Sequence, residues 1–370
     1  MKGLIYFSCE NIYSFKEKIE FTMENSKGEK ELVSAIYGAN ASGKTNFIKA
    51  LDFFKFLIVT SKELSVGDKI KLFPFKGNEN KDTEFKIIFK NNSIKYAYYL
   101  KINESRIVEE NLYHYPSGKI SKIFTRNYNQ EDESYVFDYG RSYIKELKGI
   151  ELVCPSNKIF LSVTASWKEI DEIKNPFMFF SNVIQSNMGL NEMGWFEKSA
   201  EILQRHNQDR NKFIDLVKVI LPGLKNIESN IERKQVSLEY ENGMVLDLAE
   251  ESKGIKRIIE ILGPILEILK NGQVLLFDEI ESSFHPIIAK NIINLFLDKT
   301  QNKNEAQLIF TTHDVNLLDG DTLKKDLIWF TERCKENGYS TDLYPLSIIE
   351  GVRTGENIRK NYLKGKYSRC

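Results

Sequence analysis

Gly38-Ala39-Asn40-Ala41-Ser42-Gly43-Lys44-Thr45 decides how this chain is read. It fits G-x-x-x-x-G-K-[ST] residue for residue, behind the apolar run 32–37 and ahead of 46–54, where apolar residues recur at helical spacing. Strand, loop and helix in that order make a phosphate cradle. The glycines let the backbone curl so that successive N–H groups point inward, some at dihedrals that a Cβ penalises. The helix behind the loop adds its unsatisfied N–H groups and the positive end of its dipole. The phosphate-facing set is Gly38, Asn40, Ala41, Ser42, Gly43, Lys44, Thr45 and Asn46. In it Lys44 reaches the β- and γ-phosphates, and the Thr45 hydroxyl takes one place around Mg²⁺. A Gly-rich turn of this composition can also arise by chance, but such a turn does not call for a strand before it and a helix after it.

A second piece of chemistry stands far downstream. The apolar run 274–277 ends in Asp278-Glu279, which reads as a buried parallel strand delivering two acids at its carboxyl end. Asp278 would hold Mg²⁺ and Glu279 would orient and deprotonate the attacking water, because phosphoryl transfer asks mainly for positioning and electrostatics. A helix over 286–298 and a further apolar strand, Leu308-Ile309-Phe310-Thr311-Thr312, then lead to His313. In a parallel sheet that order sets the imidazole beside the γ-phosphate. Ser252 is a good N-cap for the helix that follows it, which the Gly263-Pro264 pair should disturb. Its other role, with Gly254, is to contact the γ-phosphate held by a second subunit.

Between these motifs the chain changes character twice. Residues 81–139 are rich in Phe, Tyr, Ile and Val between turn residues and read as an antiparallel meander; strand propensity explains its tyrosines more simply than base stacking does. Residues 155–222 turn helical without a sustained heptad, and Asn242-Gly243 marks a hairpin. The N-terminal segments 4–7 and 18–23 form another hairpin, either a sheet edge or a surface for adenine.

Composition narrows the class. Lys+Arg and Asp+Glu balance at 52 each in 370 residues, so nothing pulls the whole chain toward nucleic acid. Cys9, Cys154, Cys334 and Cys370 form no C-x-x-C pair, which reads as four reduced thiols in the cytoplasm. No run approaches the roughly 18 apolar residues of a membrane span.

Taken in order, the loop, Ser252-Lys253-Gly254, the strand ending in Asp278-Glu279, and Thr311-Thr312-His313-Asp314 resemble the ABC-type ATPase heads of the RecF, SMC and OLD group. Asp278-Glu279-Ile280-Glu281-Ser282-Ser283-Phe284-His285-Pro286 and the stretch 355–367 are similar to the short ATPases of abortive-infection and phage-defence operons, such as the AbiL and RloA-like proteins. The resemblance implies an α/β P-loop NTPase of ABC-ATPase type, a mixed sheet with an antiparallel β subdomain and a helical insertion. It implies the cofactors ATP and Mg²⁺, and a homodimer or larger assembly with two ATPs sandwiched between one subunit's Lys44 loop and the other's Ser252 segment. A nuclease-like effector from the same operon is the implied partner; no membrane is. The expected division is 1–154, an N-terminal ATPase lobe; 155–234, the insertion; 235–350, a C-terminal lobe; and 351–370, a basic tail.

Two departures stand out. No glutamine-loop residue is recognisable after the first helix, and Glu-Ser-Lys-Gly replaces the Leu-Ser-Gly-Gly-Gln of transporters, which argues against a transporter engine. The competing reading is a RecF-like ATPase that clamps DNA, marked by steeply salt-dependent DNA binding. The basic run 353–369, with Arg359, Lys360, Lys364, Lys366 and Arg369, reads as a solvated tail, a phosphate-backbone contact or an effector dock.

Overall fold

The computed structural model describes residues 2–188, 194–205, 207–230, 235–320, 322–336, 338–352 and 356–369. Arg353 of the basic run and Gly355 lie outside the described residues.

Apolar alternation organises the centre of the molecule. In the strands Val33–Tyr37, Val274–Phe277 and Gln307–Thr311 nearly every residue is buried. Successive side chains point to opposite faces, so Ile36, Leu276 and Ile309 join one core while Ala35, Leu275, Phe277, Leu308 and Phe310 join the other. The strands belong to a six-stranded sheet in the order Thr341–Pro345, Ile328–Arg333, Val33–Tyr37, Gln307–Thr311, Val274–Phe277, Ile184–Ser186. All its pairings are parallel except the outermost, between Ile328–Arg333 and Thr341–Pro345.

Over one face lies the helix Lys44–Thr60, and beyond it a seven-stranded sheet. That sheet is antiparallel throughout, in the order Ile19–Thr22, Gly3–Glu10, Thr83–Asn91, Ile94–Ile102, Ile107–His114, Ser121–Asn129, Ser134–Tyr139. The meander is therefore as the sequence predicts, and Ile19–Thr22 forms a sheet edge. Phe54 joins the layers, stacked on Phe85 at 4.6 Å and set edge-on to Phe180 at 5.5 Å. The tyrosines serve this packing: Tyr96 and Tyr98 are fully buried.

The opposite face is covered by the helix Lys253–Asn271. Contrary to expectation, Gly263-Pro264 does not interrupt it. Pro264 lacks an N–H and so leaves the Glu260 carbonyl free, and the Ser199 hydroxyl donates to that carbonyl at 2.8 Å. The same hydroxyl accepts from the Gly263 N–H at 3.0 Å. A Cβ on Gly263 would stand 2.4 Å from that oxygen, so glycine is what lets Ser199 approach.

Residues 155–234 hold the helices Phe160–Trp167, Asp171–Met178, Trp195–Gln204 and Gln208–Lys218, but Ile184–Ser186 is a strand of the central sheet. The Asn242-Gly243 turn joins Gln235–Tyr240 to Val245–Asp247 in antiparallel register. Cys9 and Cys154 are free and buried, whereas Cys334 is disulfide-bonded, so the expectation of reduced thiols fails at that position. Among the described residues no helix is long and apolar enough to cross a membrane.

The C-terminal segment is a docked element rather than a solvated tail. Asn357 caps the helix Ile358–Leu363, and Tyr362 and Tyr367 both stack on Phe330 of the strand beside Val33–Tyr37. Tyr367 is 2% exposed, and its carbonyl accepts from the Tyr344 hydroxyl. Ser368 and the Arg369 N–H donate to Glu332, and the Arg369 guanidinium lies over Tyr344. The aromatic residues outweigh the basic ones between them, because each buried ring removes a large apolar surface from water.

Candidate functional site

Parallel pairing brings the carboxyl ends of five strands to one edge of the central sheet, where open α/β sheets place their ligands. The segments leaving that edge carry Asn187, Asp278-Glu279, Thr312-His313, Gly38-Ala39 and Arg333.

The phosphate loop is preformed. Gly43 has φ 112°, and a Cβ there would meet the Thr341 hydroxyl at 2.3 Å; at Gly38 it would meet Ser42 Oγ at 2.4 Å and the Thr331 carbonyl at 2.5 Å. Ala41 takes the left-handed region at φ 63°. The Ser42 and Thr331 hydroxyls lie 2.6 Å apart, and Thr341 Oγ1 donates to the Ser42 carbonyl at 2.9 Å. Lys44 is 5% exposed, and its ammonium donates to the carbonyls of Gly38 and Ala39 at 2.9 and 3.0 Å. Burial lowers its pKa, opposed by the charges of Glu281, Glu279 and Asp278. Ala39, Asn40 and Ala41 are exposed at the mouth of the loop, and Thr45 and Asn46 are half-buried on the first helical turn.

The acidic strand is tied to its neighbours on both sides. Thr311 Oγ1 donates to Asp278 Oδ1 at 2.7 Å and accepts from the Glu279 N–H at 2.8 Å. Glu279 is exposed and has φ 51°, a left-handed conformation that costs a side-chain-bearing residue ~1 kcal/mol and is typical of functional positions. His313 is exposed too, and its main-chain N–H donates to Glu281 Oε1 at 2.5 Å.

Asn187 is a residue that the sequence reading missed. It follows Ile184–Ser186, the strand next to the acidic one, and its amide grips the Asp278 backbone, accepting from the N–H at 2.8 Å and donating to the carbonyl at 3.1 Å. The Lys55 ammonium ties the helix behind the phosphate loop to the same strand, donating to the Ile184 carbonyl at 2.7 Å.

Ser252 and Gly254 stand apart. Both are exposed at the start of the helix Lys253–Asn271, where Ser252 Oγ accepts from the Ile255 N–H at 3.3 Å and makes no hydrogen bond to the loop. Within one chain, Ser252 is an N-cap.

Among the described residues no three His, Cys, Asp or Glu side chains are placed to cage a metal ion. A cage is not what Mg²⁺ on a nucleotide requires: it keeps several waters and is held by one or two protein oxygens together with substrate phosphates. Thr45 and Asp278 supply hard oxygens of that kind, and Asp278 is already oriented by Thr311. A cavity of about 650 Å³ opens beside Gly38–Ser42, walled by Phe330, Tyr344, Tyr362 and Tyr367 of the docked C-terminal segment and its support.

In fold comparisons the chain is similar to the SMC head domain from Thermotoga maritima, with 16% identity, 92% of this chain and 98% of that one covered, and a TM-score of 0.46. It is similar to the Smc head domain with a coiled coil and joint from Pyrococcus yayanosii, with 12% identity, both chains wholly covered and a TM-score of 0.46. It is also similar to the Pyrococcus furiosus Smc head domain bound to the C-terminal domain of ScpA, with 14% identity, 93% of this chain and 96% of that one covered, and a TM-score of 0.42. No curated protein matches the sequence. A family profile matches residues 33–319, a span that runs from the strand before the phosphate loop past His313, and the chain belongs to that family, described as "AAA domain, putative AbiEii toxin, Type IV TA system".

Proposed function

We propose that this protein is an ATP-hydrolysing switch: it binds Mg·ATP at the Lys44 loop, dimerises around the nucleotide, and controls a nuclease-like effector in bacterial phage defence. The observation that carries the reading is the meeting of Lys44, Asp278, Glu279 and His313 on one sheet edge. In this reading 1–154 and 235–350 are two lobes of one nucleotide unit, 155–234 is the insertion between them, and 351–370 braces the loop.

Lys44 and the N–H groups of the loop hold the β- and γ-phosphates. Glu279 takes a proton from the attacking water and orients its oxygen toward the γ-phosphorus, so that ATP and water give ADP and phosphate. His313 hydrogen-bonds the γ-phosphate, and Asn187, whose amide grips the Asp278 backbone, takes the part of the missing glutamine-loop residue. Thr45 and Asp278 hold Mg²⁺, which neutralises charge on the phosphates when bound.

Ser252 and Gly254 act in trans, closing the γ-phosphate of the facing subunit; their exposure in the single chain supports this role. Substituting Ser252→Arg leaves ATP affinity intact and abolishes ATP-dependent dimerisation, read by light scattering with and without Mg·ATP. A variant dimer that still forms with ATP restricts Ser252 to capping its helix.

A further inference from the structure

The face of the seven-stranded sheet turned away from Lys44–Thr60 is open where four of its strands, Gly3–Glu10, Thr83–Asn91, Ile94–Ile102 and Ile107–His114, run side by side. Their register sets the outward side chains in rows. One row is Glu10, Glu84, Lys101 and Glu109; nearby rows carry Tyr99, then Ile88, Ala97 and Tyr113. Ala97 offers only a methyl between Ile88 and Tyr113, and a cavity of about 490 Å³ opens over it, reaching Tyr99 and all three glutamates. Charge along the first row is unbalanced. Lys101 serves Glu84 at 2.9 Å, and Glu84 also accepts from the Tyr99 hydroxyl at 2.9 Å. Glu109 accepts from the Asn111 amide and makes no ion pair among the described residues. Glu10 stands directly opposite Glu84, and its carboxylate makes neither an ion pair nor a hydrogen bond among the described residues. Like charges set opposite each other across strands are destabilising. The lysines at the cavity are engaged elsewhere, Lys18 by Glu20 at 2.7 Å and Lys86 over the Tyr6 ring.

We infer that this face docks a partner protein by taking one arginine side chain of the partner into the cavity. The guanidinium meets Glu10 and Glu84, which its planar fork of donors can bridge, whereas a lysine ammonium acts as a point charge. The aliphatic stem lies on Ile88 and Ala97, and the Tyr99 and Tyr113 rings add cation–π attraction. Ile120, 61% exposed at the same cavity, gives the residues flanking that arginine an apolar contact that a free amine does not use. The carboxylates repel phosphates, so the face is not one for nucleic acid. It lies outside the nucleotide site and does not depend on that reading.

The test is fluorescence anisotropy with the full chain and a short labelled peptide, valine and threonine around one central arginine, beside the same peptide with citrulline, which keeps the shape and removes the charge. The arginine peptide should bind roughly tenfold tighter or more, the size expected of one charge-assisted hydrogen bond. Glu10→Gln should lose most of that difference while melting no lower than wild type, because it removes a repulsion and breaks no contact. Ala97→Leu should fill the floor and weaken both peptides. Equal binding of the two peptides, or a Glu10→Gln variant that keeps the difference, overturns the inference. So does binding of agmatine, a free guanidinium amine, as tightly as the arginine peptide, which would make the cavity a small-molecule site.

Discussion

Replacing Glu279 with glutamine lowers ATP turnover by ~10²–10⁴-fold, the usual contribution of a general base, and leaves ATP bound. The substitution keeps size and shape and removes only the ability to accept a proton. Because the Glu279 side chain is exposed and its N–H is held by Thr311, nothing in the local packing depends on the carboxylate. In barrier terms the loss is about 3–5 kcal/mol. Single-turnover phosphate release, with nucleotide binding measured in parallel, checks it. Normal hydrolysis by the variant gives the role to another residue.

Lys44→Ala has its large effect on binding. Hydrogen bonds to charged groups contribute ~1.5–3 kcal/mol each, and Lys44 is placed to make them to two phosphates, so affinity should fall at least ~10²-fold. The loop itself is also compromised, since the Gly38 and Ala39 carbonyls lose their shared donor and the three nearby acids lose their counter-charge. Calorimetry with Mg·ATP, beside a circular dichroism check of the fold, separates lost recognition from lost structure. Unchanged affinity in a folded variant would mean that Gly38–Thr45 is not the phosphate site.

How much of this was legible in the sequence follows from how local each feature is. The phosphate loop, the acidic strand and the strand before His313 are contiguous runs whose spacing carries their meaning, and all three lie where the residues predict. The strand Ile184–Ser186 was hidden, because three residues between helical apolar patterns offer no alternation to read. Asn187 was hidden with it, since its importance comes from facing Asp278, ninety-one positions away. Pro264 misled for a similar reason: the hydroxyl that repairs the helix belongs to Ser199, on another helix. At the C-terminus the basic residues drew attention, and Tyr362 and Tyr367, which hold the segment on Phe330, did not.

The convergence of Lys44 with Asp278 and Glu279 on one nucleotide is tested most directly by a crystal structure of the protein with Mg²⁺ and a non-hydrolysable ATP analogue. The expected density is a triphosphate inside Gly38–Thr45, touched by the Lys44 ammonium, with its terminal phosphate facing Glu279 and His313. Density for the analogue elsewhere, with the loop empty, would contradict the account.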